Sequence, residues 1–236
     1  MVRWTDESAE KKQRHELRRE TILQAAAHCF NRKGYRGTTI GAIAQELGVS
    51  KAALYYYVES KEEVLFLCHQ ASMDLGMEGL RRAEALGGTA GERLRAALGY
   101  FIEQMAENLK GCFVMLEGGM LSPRLHRQVV RRRDEYEHRL RDLVAEGVAS
   151  GAFVPCNPKL VVFAILGAVN WVQKWYSPDG EVAAKDIAET FAAFLTRGLE
   201  RRGVEVPLDT GGEARVPITA AEGFRMRTRA NGGNHV

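Results

Sequence analysis

Apolar positions along this chain recur mostly three and four residues apart, the period of an amphipathic helix. Ile22, Ala26 and Phe30 begin the pattern, and Gly34 supplies its stop. Ile40, Ile43, Ala44 and Leu47 repeat as i, i+3, i+4, i+7, a short helix closed by Gly48. Ser50 is a good cap for another short helix, Lys51 to Val58. Ser60 opens a longer one, and Glu63 three residues on completes a capping box. Gly87-Gly88-Thr89 reads as a turn, and Thr89 with Glu92 repeats the capping pair. Leu94, Leu98, Phe101, Ile102, Met105 and Leu109 mark the next stripe. Ser122-Pro123 and Asn157-Pro158 each place a cap before a Pro at the first helical position. They predict helices running to about Ser150-Gly151 and from Leu160 to Trp175. Ile187, Phe191, Phe194, Leu195 and Leu199 form the last periodic face. Alternating strand patterns are nearly absent, so the predicted fold is all-α.

The ends of the chain carry no such period. Residues 1 to 14 are polar and of mixed charge, and are expected to form a flexible basic arm. From Gly203 to Val236 helix signals stop, and six Gly with two Pro predict a disordered tail. Between them the pattern divides into a unit over 15–76 and a second over 77–202.

Composition narrows the class. The 236 residues are 45% hydrophobic and 27% charged, a globular balance that excludes collagen-like and wholly disordered chains. Lys and Arg exceed Asp and Glu by only 33 to 30, so whole-chain charge decides nothing about a nucleic-acid partner. The four cysteines, Cys29, Cys68, Cys112 and Cys156, lie far apart without a CxxC pair, so no zinc site and no metal is expected. They read as reduced thiols of a cytoplasmic protein, with a redox-sensing thiol at Cys29 or Cys68 as the alternative. The N-terminus has no apolar run of a signal peptide. The longest apolar stretch, Leu160 to Val172, is broken at Asn170 and falls short of the ~18–20 residues of a membrane span.

The segment from Thr38 to Val58, TTIGAIAQELGVSKAALYYYV, carries the sharpest signal. Two short helices joined by a tight turn holding Gly48 have helix-turn-helix arithmetic. Val49 after the glycine is placed to plug the core between them. Small Ala52 and Ala53 would let the second helix approach the major-groove floor, and Ser50, Lys51, Tyr55 and Tyr56 offer the groups phosphates need. Leu54, Tyr57 and Val58 read as core packing instead. From Ser8 to Arg36, eight Lys and Arg face three Glu, either a DNA-facing stretch or a solvated helix face.

This ordered set resembles the TetR family of one-component transcriptional regulators. The likeness covers roughly Leu17 to Val64: Thr38-Thr39 before the first motif helix, Ile43-Ala44 within it, Gly48-Val49-Ser50 at the turn, Leu54-Tyr55 in the recognition helix and Ser60-Lys61-Glu62-Glu63 beyond it. Val58 stands where Phe is commoner and Ala53 where Thr or Ser is common. The resemblance implies a DNA-binding site of Thr38, Thr39, Ser50, Lys51, Ala52, Ala53, Tyr55, Tyr56 and Lys61. Thr39, Lys51, Tyr55 and Lys61 would take phosphates, and Ser50, Ala52, Ala53 and Tyr56 would lie at the groove. It further implies a helical C-terminal domain that binds a small effector and dimerises. The partners are then a pseudo-palindromic double-stranded operator and a second copy, joined through the last two helices.

Two features of the second unit bear on the effector. Arg124, Arg127 and Arg131 share one helix face, while Glu135–Arg139 and Glu137–Arg141 are spaced to pair on the surface. The three unpaired arginines read either as a solvated face or as a phosphate-binding cluster. Asn170, Trp171, Gln173, Trp175 and Tyr176 put polar and aromatic groups on an apolar helix. From about Gly111 to Leu199 the chain resembles the subgroup of the family that answers to acyl-CoA thioesters and controls fatty-acid, steroid or aromatic-acid degradation. That likeness implies effector contacts at Arg124, Arg127, Arg131, Asn170, Trp171, Trp175 and Tyr176, with an acyl-CoA as effector and no bound cofactor. Dimer-core packing is the alternative role of the tryptophans. A regulator of efflux genes answering to apolar drugs is the nearest alternative function. An all-α enzyme acting on a CoA thioester is a further one, although no GxSxG, HExxH, phosphate-binding Gly loop or acid/base dyad appears, and no catalytic residue is assigned.

Overall fold

In a computed structural model, residues 4–107, 120–177 and 179–201 are described, with side chains from Leu17 onward. The described residues form eight helices: α1 (Trp4–Gly37), α2 (Ile40–Glu46), α3 (Lys51–Tyr55), α4 (Lys61–Leu86), α5 (Ala90–Glu107), α6 (Pro123–Ala149), α7 (Pro158–Trp175) and α8 (Ala184–Arg197). The only extended pairing among them is an isolated antiparallel bridge between Phe153 and Glu200. Cys112 and the predicted tail lie outside the described residues, apart from which the chain packs as one unit to Arg201.

Local signals set most boundaries. Thr39, Ser50 and Ser60 each accept a hydrogen bond from the amide three residues on, so α2, α3 and α4 begin where capping chemistry predicts. The Thr89–Glu92 box closes in both directions. Asn157 caps α7 through Lys159 and Leu160. Gly34 breaks α1 with φ +71°.

Three expectations fail. The arm is helical from Trp4 rather than loose. Its Ala, Glu, Lys, Gln and Arg are strong helix formers without an apolar stripe, so propensity builds what periodicity does not announce. Ser122 makes no side-chain cap on α6, and its amide instead donates to Glu62 Oε1 at 2.7 Å, tying the start of α6 to the start of α4. Arg139 pairs with Glu84 of α4 rather than with Glu135, whereas Arg141 does pair with Glu137.

Two apolar cores result. The first joins Ile22, Ala26 and Phe30 of α1 to Ile43 of α2, Leu54 of α3 and Val64, Leu65 and Cys68 of α4, and takes in Val129 of α6. The second is built around α5, whose Leu94, Leu98, Phe101 and Ile102 meet Leu140 and Val144 of α6, Ile165 and Val169 of α7 and Ile187 and Ala192 of α8. α4 runs unbroken through the predicted boundary at 76–77. Its first half belongs to one core, and Leu80 and Ala83 belong to the other. A displacement of one core is therefore carried to the other along a single rigid helix.

Candidate nucleic-acid interface and effector cavities

The turn between α2 and α3 is held by Gly48 at φ +65°, a conformation costly for any residue with a Cβ. Its amide and that of Val49 return to the carbonyls of Gln45 and Ala44. Val49 does not plug the core, because its side chain is 44% exposed. Leu54 and Val58, each 1% exposed, do that work. With only five residues, α3 cannot hold itself as a helix, so burial of Leu54 fixes its pose. Tyr57 is half-buried, and its hydroxyl accepts from Arg18 of α1 at 2.8 Å.

What remains outside is polar, aromatic or small. Ser50, Lys51, Ala52, Ala53, Tyr55 and Tyr56 are all exposed on α3, and Thr39 is exposed at the start of α2. The Lys51 ammonium lies over the Tyr55 ring, 5.8 Å from its centroid. Seven of the nine residues assigned to DNA are thus accessible. Thr38 is not. It is fully buried, and its hydroxyl serves the carbonyls of Cys29 and Gly34 at 3.0 and 2.8 Å. Thr38 ties the bend of α1 to α2 and offers nothing to a phosphate. Lys61 also works inside the fold. It donates to the carbonyls of Tyr35 and Thr38 at 3.0 and 2.9 Å and sits over the Tyr35 ring, which leaves at most one of its three donors for an outside partner.

Two cavities open around α7. The first, about 420 Å³, lies among α4, α5, α6 and α7. Phe101, Met105, Phe163 and Leu166 give it apolar walls, while His69, Arg133, Arg141 and Lys159 bring nitrogen donors. Tyr136 and Glu137 also line it. Buried and without hydrogen-bond partners are His69 Nε2, Tyr136 Oη and Arg141 Nε. The second, about 480 Å³, lies between α1, α5 and α7, and it shares Phe101, Met105 and Asn170 with the first.

Of the residues assigned to the effector, Asn170 lines both cavities and Tyr176 lines the second. Arg124, Arg127 and Arg131 are exposed and line neither, so the arginines of α6 that reach a cavity are Arg133 and Arg141. The i, i+4 spacing of Glu137 and Arg141 marked a pair correctly but gave no sign that it faces inward. Trp171 and Trp175 are 64% and 47% exposed and line neither cavity. His69 went unnoticed in the sequence, although it follows Leu65 by one helical turn on the buried face of α4. Cys29 and Cys68 are both buried, and burial pushes the Cys29 thiol up, away from the thiolate a redox sensor needs.

His69 is 2% exposed, and its imidazole is driven down to about 3, first by burial and then by the Arg133 guanidinium. An unfolded histidine titrates near pH 6.5. Between those values the unfolded chain holds the extra proton, so this stability is complete above about pH 6.5 and is lost as pH falls toward 3. The loss approaches ~1.4 kcal/mol per pH unit. His69→Leu should flatten the acid limb of stability, read by urea unfolding at pH 7, 6 and 5. An unchanged slope would overturn this.

Comparisons with known proteins agree with the geometry. Residues 22–68 match the family of bacterial regulatory proteins of the tetR type, and residues 87–199 match the tetracyclin repressor-like C-terminal domain. The TetR family transcriptional regulator PfmR of Thermus thermophilus is 34% identical, with 76% of this chain and 99% of that one covered and a TM-score of 0.64. The structure of AibR in complex with isovaleryl coenzyme A and operator DNA is 28% identical, covering 76% and 98%, with a TM-score of 0.63. The transcriptional repressor KstR2 of Mycolicibacterium smegmatis is 27% identical over 188 residues, which is 77% of this chain and 90% of that protein. Helix-turn-helix geometry, an all-helical second core and two matching family models converge: the chain belongs to the tetR family of transcriptional regulators.

Proposed function

We propose that the protein is a homodimeric cytoplasmic repressor that leaves a pseudo-palindromic operator when it binds an acyl-CoA thioester, and that its genes serve degradation of fatty, steroid or aromatic acids. The observation that carries this reading is the cavity among α4, α5, α6 and α7. Its walls suit an acyl chain, its Arg133, Arg141 and Lys159 suit the phosphates of the carrier, and it abuts the helix that begins at the DNA-binding unit. AibR, which binds isovaleryl coenzyme A, supports this class of effector, and KstR2 supports the repressor role.

Operator DNA is first selected from a random pool by the purified protein. Its affinity is then measured with isovaleryl coenzyme A, longer acyl-CoA thioesters, free coenzyme A and a cationic aromatic drug. Weakening by a thioester is expected. Weakening by the drug alone would favour a regulator of efflux genes, and indifference to every compound would sink the repressor-release reading.

Surfaces left uncovered support the dimer. Leu160, Phe163, Trp171 and Trp175 of α7 and Phe194 of α8 are exposed in the single chain. Ile187 and Leu199, expected on the same face, are instead buried against the chain's own core. A Trp171→Glu, Phe194→Glu variant should sediment as a monomer and lose operator affinity. A variant that stayed dimeric would move the interface elsewhere.

A further inference from the structure

The second cavity touches the DNA-binding unit directly. Asn31 of α1 donates from Nδ2 to Gln173 Oε1 of α7 at 3.3 Å, across 142 positions of sequence. Gln173 Nε2, the other end of that carboxamide, is buried and has no hydrogen-bond partner. Gln173, Asn31 and Asn170 all line the cavity, above a floor of Phe101, Ile102 and Met105. Arg32, Lys174 and Asp179, all exposed, also line it. The lining therefore combines apolar side chains, carboxamides and charged groups of both signs. These carboxamides suit the amide-bearing arm of a thioester held in the first cavity, which shares Phe101, Met105 and Asn170 with this one.

We propose that Gln173 is the coupling residue of this regulator. It donates from Nε2 to a carbonyl oxygen of the effector's amide-bearing arm while Asn31 holds its other end, so that occupancy of the cavity is passed to α1. An orphaned buried donor is costly, and a ligand acceptor relieves it. Asn31 follows Phe30 of the first core, and His28, which also lines the cavity, stands 3.6 Å from Glu46 at the end of α2. A shift of Asn31 is thereby felt by both α1 and α2, which position the recognition helix. α4 supplies one connection between the cores, and Gln173 supplies another that senses the ligand itself.

This inference rests on the acyl-CoA reading, and the test separates the two. Isovaleryl coenzyme A is titrated into the wild-type chain, Gln173→Leu, Asn31→Ala and the double variant. Each titration is made with and without the selected operator fragment, and the coupling factor is the ratio of the two Kd values. A neutral hydrogen bond carries about three- to tenfold in affinity. Gln173→Leu should raise the thioester Kd by that factor, and the coupling factor should fall similarly in either single variant. The double variant should fall no further than Gln173→Leu, because both substitutions break one relay. Thioester binding with coupling unchanged in the single variants, or with additive losses in the double, would overturn the relay and leave the effector class standing. Absence of wild-type binding to isovaleryl coenzyme A and its longer homologues would overturn both.

Discussion

Lys51→Ala combined with Tyr55→Ala should weaken operator binding by about two orders of magnitude or more while leaving the fold intact. Both side chains are exposed, Tyr55 at 47%, and neither belongs to the core that holds α3. Their loss should therefore change stability by no more than ~0.5 kcal/mol. Lys51 lies over Tyr55, so one cation and one hydroxyl leave the same patch together. In a dimer the double substitution removes two of each. A charge-assisted hydrogen bond is worth ~1.5–3 kcal/mol, which makes a hundredfold loss a conservative expectation. The salt dependence gives a second readout, because each lost phosphate contact lowers the slope of log K against log salt by ~0.9, or about 2 for the dimer. Fluorescence anisotropy with a labelled operator at several salt concentrations measures both. Normal affinity with a normal slope would remove Lys51 and Tyr55 from the interface.

Phe153→Ala should destabilise the chain by ~3–5 kcal/mol, through lost burial and the cavity left behind. The Phe153 ring is 1% exposed and covers Gly147 of α6, where an added Cβ would fall inside the ring's van der Waals envelope. Its amide donates to the Gly147 carbonyl at 2.9 Å, and the next amide, Val154, donates to Leu199 at 2.8 Å. Phe153 and Val154 thus fasten the end of α6 to the residues just after α8. At ~2–4 °C per kcal/mol for a chain of this size, the melting temperature should fall by roughly 10 °C. Gly147→Ala should cost ~1–3 kcal/mol in the wild-type chain by overpacking against the ring. In Phe153→Ala the ring is gone, and alanine is the better helix former by ~1 kcal/mol, so the same substitution should become neutral or stabilising. Thermal melts of the four chains measure that reversal. A Gly147→Ala effect of the same sign and size in both backgrounds would show that the ring does not set it.

Caps and turns were legible because they are settled within four residues of sequence. Thr89 meets Glu92, Ser60 meets Glu63, and Gly48 supplies the positive φ between α2 and α3, whatever the rest of the chain does. The exposed face of α3 was legible for the same reason: Leu54 and Val58 must be buried for so short a helix to persist, and the rest of the helix is then left outside. The helical arm escaped notice because it has propensity without an apolar period.

Thr38 and Lys61 show the limit of a motif. Their residue types suit a phosphate, yet one is fully buried and the other is engaged with two carbonyls of the α1–α2 corner. The arginines of α6 show it more plainly. Arg124, Arg127 and Arg131 looked available because the acids nearby were assigned to Arg139 and Arg141, but that face meets solvent. Arg133 and Arg141 reach the cavity because α6 turns them toward His69 of α4 and Phe163 of α7, residues between 22 and 64 positions away.

By itself, then, the sequence determined most of the helices, the helix-turn-helix and the exposed face of α3, since those follow from short-range hydrogen bonds and from the stripe each helix must bury. Only the tertiary structure decided which polar groups face a cavity and that α1 touches α7 through Asn31 and Gln173. Such pairings depend on how distant helices rotate against one another, and the period of a single helix carries no record of that.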